Sequence, residues 1–117
     1  MMSDPRYRPR DFCVHPERFG EVGQVEWKAA EASDRIRLGA ARLQHEWSKV
    51  IRRRLGEERV SLKVFATRAG TSYDRAAKVF RGETIMRFED LAAAELLLGG
   101  VIRPERSSGQ GGETESS

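Results

Sequence analysis

The segment from Phe65 to Gly82, with the sequence FATRAGTSYDRAAKVFRG, carries polar side chains that are suited to binding a polyanion. Three of them are positively charged at neutral pH, and a phenol and a carboxylate add hydrogen-bonding groups. In chain order they are Tyr73, Asp74, Arg75, Lys78 and Arg81. Cations hold phosphates, and donors and acceptors on a helix can match base edges. The segment therefore predicts nucleic-acid binding.

The basic charge of the chain is concentrated around this segment. The whole chain has a net charge of +3. Residues 42–82 contain eleven Lys and Arg against four Asp and Glu, a net of +7, whereas residues 1–41 carry seven of each sign and residues 83–117 carry three against seven. Clustered positive charge attracts polyanions through counterion release. The alternative is that these side chains only solvate a helical surface.

The rest of the sequence offers no catalytic or metal-binding arrangement. It has no glycine loop that cradles a phosphate, no catalytic carboxylate pair and no nucleophile with an identifiable base, so we expect neither an enzyme nor a cofactor. Cys13 and His15 lie two positions apart and His45 is isolated, which gives too few ligands for a tetrahedral zinc site. A single cysteine also excludes a disulfide within the chain.

Two short helices separated by a glycine are predicted to position the polar side chains. Ser61 and Ser72 each precede an apolar pattern and are suited to cap a helix, and Gly70 follows the first pattern, where a left-handed residue ends a helix. On a helical wheel the buried side of the second helix holds Ser72, Ala76, Val79 and Phe80. Its outer side is predicted to hold Asp74, Ala77, Lys78 and Arg81, with Tyr73 and Arg75 at the edges.

The whole pattern predicts an all-α protein, a small helical bundle with an N-terminal helical extension. Residues 1–24 hold three of the four prolines and are predicted to be an irregular arm. Residues 25–41 are predicted to be the helical extension, because apolar residues from Val25 to Leu55 step by three or four positions. Two helices that break at Gly39 are the alternative. Residues 42–103 form the main domain, and residues 104–117 have no apolar side chains to bury and are predicted to be disordered.

The location predicted for the protein is the cytoplasm. The first residues, MMSDPRYRPRD, are polar and are not followed by the apolar run of a secretory signal. The longest apolar run, from Leu91 to Ile102, is too short for a membrane span and contains Glu95. We therefore expect no membrane association.

The residues from Val60 to Gly99 resemble the Cro and C1 repressor family of helix-turn-helix domains, also called the XRE family. The resemblance rests on apolar, small and glycine positions that agree together: Phe65, Ala66, Gly70, Ser72, Val79, Arg81 and Gly82. The later FEDLAAAELLLGG resembles the following helix of the family, and the match extends over about Trp47 to Gly99. It implies a lambda-repressor-like bundle that binds double-stranded DNA through its second motif helix.

The resemblance implies a set of DNA-binding residues. They are Lys63, Thr71, Ser72, Tyr73, Asp74, Arg75, Ala77, Lys78 and Arg81, with secondary phosphate contacts from Arg52 and Arg53. The chain departs from the family at Leu62 and Lys63, which stand where many members have a phosphate-bracing Gln. It also departs at Pro104, which follows Gly100 almost at once, where many members have a dimerising fifth helix.

The function predicted from the sequence is a sequence-specific DNA-binding transcriptional regulator, a repressor of the phage, plasmid or mobile-element type. The alternative is an antitoxin-like or adaptor module that uses the same fold to hold a protein partner. The segment from Val25 to Leu38 is more apolar than one small domain needs. It is predicted either to pair with a second chain, which makes a homodimer, or to fold back over the core.

Overall fold

The chain folds into four α-helices preceded by an irregular segment. The computed structural model describes residues 7–21 and 23–102. The helices are α1 (Arg35–Glu58), α2 (Leu62–Ala69), α3 (Tyr73–Phe80) and α4 (Phe88–Leu98), and short 3-10 turns precede them at Pro9–Phe12, Pro16–Arg18 and Ala32–Asp34. Among the described residues there is no strand, only an isolated bridge between Cys13 and Trp27. The predicted all-α class is confirmed, and the predicted tail at 104–117 lies outside the described residues.

The predicted ends of the two motif helices are confirmed. The Ser61 hydroxyl accepts from the Val64 amide at 3.1 Å, and the Ser72 hydroxyl accepts from the Arg75 amide at 3.0 Å. Gly70 ends α2 with a φ of 77°, a left-handed angle that a glycine adopts without steric cost. The turn between α2 and α3 is therefore fixed by local chemistry on both sides.

The helix predicted to begin at Val25 begins only at Arg35, so the helical extension at 25–41 is wrong for its first part. The reason is a tertiary pairing: the Val14 amide donates to the Glu26 carbonyl at 2.9 Å, and the Lys28 amide donates to the Phe12 carbonyl at 2.8 Å. This pairing holds residues 26–28 extended. The predicted alternative of a break at Gly39 is also wrong, because α1 runs through that residue.

One apolar core joins the four helices. Its buried members are Ile51, Leu55, Phe65, Val79, Phe80, Ala94 and Val101. The buried Gln44 side chain secures the loop after α3, since its amide donates to the carbonyls of Val79 and Thr84 and its oxygen accepts from the Met86 amide, each at 2.9 Å. The core and this amide together fix α3 against α1.

The N-terminal arm, which we define as residues 7–21 and 23–28, packs against α1 and the end of α3. Phe19 is buried and makes edge contacts with the rings of Trp27 and His45. Its ring also lies against Gly82, where an added Cβ would stand 2.7 Å from a ring carbon. The Arg10 amide donates to the Gly82 carbonyl at 3.0 Å. The described part of the predicted arm at 1–24 contains no α-helix, and it forms part of the folded structure; residues 1–6 and 22 lie outside the described residues.

No helix in the described ranges is long and apolar enough to cross a membrane.

Candidate nucleic-acid interface

The outer face of α3 presents a short row of exposed polar side chains. The Tyr73 residue is 55% exposed in the first turn of the helix, and Asp74 and Lys78 are exposed beside it. The opposite face is buried through Ala76, Val79 and other core residues. Because the Ser72 cap fixes where α3 starts, the row has a defined position relative to the core.

Two of the cations on this face have acidic neighbours. The Lys78 ammonium lies 3.2 Å from the Asp74 carboxylate, which is the pair expected at this spacing. The Arg81 guanidinium lies 2.7 Å from Glu83, and this hydrogen bond holds the pKa of Glu83 below its ordinary value. Both members of the Lys78–Asp74 pair are exposed, so a phosphate can displace the Asp74 carboxylate at small cost, whereas Glu83 is only 26% exposed and also binds Arg10.

Arg75 lines the open hollow beside Asp74 and Lys78, but its guanidinium is held by a carboxylate. Its two terminal nitrogens bind both oxygens of Asp90 at 2.8 and 2.9 Å, and the same carboxylate accepts from the Arg87 amide at 2.8 Å. Burial disfavours ionisation of Asp90, but the hydrogen bonds from Arg75 and the Arg87 backbone outweigh it and lower the pKa of Asp90. Arg75 lies at the edge of α3, as predicted, and joins the start of α3 to the start of α4; its contact with a ligand stays a prediction.

The prediction that Ala77 lies on the outer face of α3 is wrong, because this residue is only 6% exposed. A helical wheel predicts one buried face for α3. In the structure the end of α1 and the start of α2 also approach α3 on the side that holds Ala77. Ala77 lines a shallow hollow there together with Leu55, Leu62 and Tyr73.

The other predicted site residues lie at varied depths around α3. Lys63 is exposed in the first turn of α2, Thr71 is half-buried in the turn, and the Ser72 hydroxyl is occupied by its cap. Arg53 is exposed next to Glu57 at 3.6 Å. Arg52 is partly covered, because its guanidinium lies 6.0 Å from the centre of the Phe80 ring and 3.8 Å from Glu21.

Two exposed cations that the sequence analysis did not single out also border the motif. Arg87 stands just before α4 and lines an open hollow with Asp74, Lys78 and Thr84. Arg68 is exposed in the last turn of α2. Arg68 precedes α3 and Arg87 follows it within a few residues. Their positive charge so close to the second motif helix is the feature from which the sequence could have predicted them.

The single thiol is not available for chemistry in the folded chain. Cys13 is fully buried, and burial raises its pKa to about 11. In the parts of the chain that the structure describes, no group of three or more His, Cys, Asp and Glu residues is placed to hold a metal ion.

Comparison with known proteins finds no matching family model, no similar curated protein and no similar solved structure. What the chain does is therefore argued from its own side chains.

Proposed function

We propose that this protein is a sequence-specific DNA-binding transcriptional regulator of the helix-turn-helix type, similar to the XRE family, and that it acts as a repressor. The observation that carries the proposal is the first turns of α3, where a capped helix start presents Tyr73, Asp74 and Lys78 to solvent. A helix of this kind fits the major groove, and its N-terminal residues then reach base edges.

The surroundings of α3 supply the phosphate contacts that such a docking needs. Residues 42–82 carry a net charge of +7, from eleven basic and four acidic side chains. Arg81 caps the end of α3, Arg87 lines the hollow beside Lys78, and Lys63 and Arg68 are exposed on α2. In this proposal they bind the backbone on either side of the groove, while Tyr73 and Lys78 read the bases.

Arg75 has a positioning role in this proposal. Its ion pair with Asp90 sets the angle of α3 against α4 and directs the guanidinium toward that carboxylate. Base recognition is therefore assigned to fewer side chains than the sequence predicted.

Selection of bound fragments from random duplex DNA tests the proposal and reads the site at once. We expect one enriched motif, and an affinity that falls steeply as salt rises, because each neutralised phosphate releases counterions. Fluorescence anisotropy over a salt series measures this on the enriched duplex. Absence of binding at low salt, or binding indifferent to salt, would reject the proposal.

A protein-interaction module of the antitoxin-like or adaptor kind is the second candidate. It is favoured by large apolar side chains that the described structure leaves exposed, among them Phe88 at 87% and Leu96 at 85% on α4. The same selection separates the two candidates, since a module of this kind enriches no DNA motif.

A further inference from the structure

One carboxylate lies between the N-terminal arm and the end of α3 and binds a guanidinium group from each. The Glu83 oxygen Oε2 accepts from Nη1 of Arg10 at 3.0 Å and from Nε of Arg81 at 2.7 Å. We call these three residues the Glu83 cluster. Its two cations and one anion give it a net positive charge, so one guanidinium is enough to neutralise the carboxylate.

Backbone hydrogen bonds fix the members of the cluster where their side chains meet. The Glu83 amide donates to the Lys78 carbonyl at 2.9 Å and closes the turn after α3, and Arg81 stands directly at the end of that helix. The Arg10 amide donates to the Gly82 carbonyl at 3.0 Å. Because the main chain makes these bonds, they do not depend on the charged side chains.

The two arginines of the cluster differ in exposure. The Arg10 side chain is 18% exposed and the Glu83 side chain is 26% exposed, whereas the Arg81 side chain is 47% exposed. Arg81 also lines the open hollow beside Tyr73. Arg10 is therefore the fixed partner of the carboxylate, and Arg81 is the partner that a ligand can reach.

A largely covered carboxylate needs a cation beside it, because an unpaired charge with little access to water is costly. When Arg81 moves to a phosphate, Glu83 keeps its charged hydrogen bond to Arg10. Without Arg10, the same movement would leave Glu83 covered and without that bond. A residue of the arm thus lowers the free energy needed to transfer Arg81 from the carboxylate to a phosphate.

We propose that Arg10 is a positioning residue for Arg81: by holding Glu83, it releases the Arg81 guanidinium to bind a phosphate. The proposal rests on the proposed function for the source of that phosphate, which is the DNA backbone. It gives the arm a part in DNA binding through a side chain that does not itself touch the ligand.

The first test measures a cycle of variants by fluorescence anisotropy on the enriched duplex at one salt concentration. Arg10→Met removes the charge and keeps an apolar stem. It should weaken DNA binding about tenfold, because Arg81 then has to leave a largely covered carboxylate. In the Glu83→Gln background the same substitution should cost much less, since no carboxylate remains to hold Arg81.

Arg8→Met is the matched control for the loss of a positive charge from the arm. The Arg8 side chain is 45% exposed, and its guanidinium lies 3.7 Å from Asp11. Its replacement should have a small effect that is nearly the same with and without the Glu83 carboxylate. Circular dichroism and the reaction rate of the Cys13 thiol confirm that the arm stays docked in each variant. A loss from Arg10→Met that is equally large in the Glu83→Gln background overturns the proposal.

The second test uses inorganic phosphate in place of DNA. Phosphate should shift the NMR signal of the Arg81 Nε–H in the wild-type chain, and should shift it less in Arg10→Met at the same concentration. The hydrogen bond from Arg81, and then the charge of Arg10, hold the pKa of Glu83 below its ordinary value. The Glu83 carboxyl should therefore titrate at a higher pH in Arg10→Met than in the wild-type chain.

Equal titration of Glu83 in the two proteins overturns the proposal, and so does an Arg81 signal that phosphate shifts equally in both. A chain that binds no duplex at low salt rejects the proposed function. A phosphate shift at Arg81 that depends on Arg10 would still support the release of Arg81 in that case, so the two proposals fail separately.

Discussion

At the scale of single residues, Arg75 and Lys78 lie one turn apart on α3 but differ in how deeply they are buried and how firmly they are paired. Arg75 is held by both oxygens of Asp90 and is only 25% exposed, whereas Lys78 is 46% exposed and paired with an exposed carboxylate. A charge held by two hydrogen bonds in a partly buried place supports the fold. An exposed ammonium in a weak ion pair can exchange its carboxylate partner for an anionic ligand.

Arg75→Ala and Lys78→Ala should therefore separate stability from DNA binding. We expect Arg75→Ala to lower the free energy of unfolding by about 1 to 3 kcal/mol, because it leaves Asp90 with part of its hydrogen bonding unmade. Lys78→Ala should leave stability within about 0.5 kcal/mol and cost about 1 to 3 kcal/mol on the preferred duplex. Urea unfolding and anisotropy measure the two. Arg53→Ala is the control for a phosphate contact and should weaken all sequences alike.

His45 makes stability depend on pH. It is 1% exposed, and its Nδ1 accepts from the Gly20 amide at 2.8 Å. Burial and then the charge of Lys49 lower the pKa of His45 from 6.5, while Glu46 opposes this shift. A proton therefore binds the unfolded chain more readily, and its uptake during unfolding favours the unfolded state.

We expect the contribution of His45 to the free energy of unfolding to be independent of pH above the ordinary histidine pKa. It should fall as the pH drops from there toward the lower pKa of the folded state. Urea unfolding at a series of pH values measures the slope. The His45→Gln variant cannot titrate at this position. It should therefore lack this part of the pH dependence of the free energy of unfolding, even though it is less stable overall. An unchanged slope in that variant would assign the effect to other groups.

At the scale of elements, the N-terminal arm and the end of α3 meet at Gly82. This glycine has a φ of 76°, and Phe19 occupies the place of its missing side chain. The Arg10 guanidinium also binds Glu83 at 3.0 Å. The arm therefore braces the loop that follows the proposed recognition helix.

Gly82→Ala should destabilise the protein by about 2 to 4 kcal/mol for two reasons. Alanine is strained at a left-handed backbone angle, and its methyl group would overlap the Phe19 ring. Gly56→Ala is the matched control: this glycine lies within α1 with no atom within 4 Å of an added Cβ, and alanine there should stabilise by up to about 1 kcal/mol. Thermal unfolding of both variants measures the difference. Equal effects at the two positions would contradict the contact.

The parts of this structure that the sequence predicted are those with local causes. The caps at Ser61 and Ser72 and the turn at Gly70 depend on neighbouring residues, and they were predicted correctly. The start of α1 was not, because the pairing of the arm with residues 26–28 joins distant parts of the chain. The ion pair of Arg75 was not predicted for the same reason, since its partner Asp90 lies 15 positions later.

At the scale of the whole molecule, Cys13 reports whether the arm is docked. The thiol is fully buried with a pKa of about 11, so it is protonated and covered in the folded chain. We expect its reaction with a thiol reagent at mildly alkaline pH to be far slower than in the denatured chain. Gly82→Ala, which loosens the arm, should speed the reaction more than Gly56→Ala does. Labelling of the native protein at the denatured rate would contradict a docked arm.

The contact between the arm and the end of α3 also bears on how the chain is made. Arg10 and its partner Glu83 are 73 positions apart, so the arm leaves the ribosome long before Gly82, against which Phe19 packs, has been made. Loop closure over such a distance comes late, and apolar residues exposed in the meantime favour aggregation. We therefore expect the arm to complete its docking only once α3 and Gly82 have emerged from the ribosome.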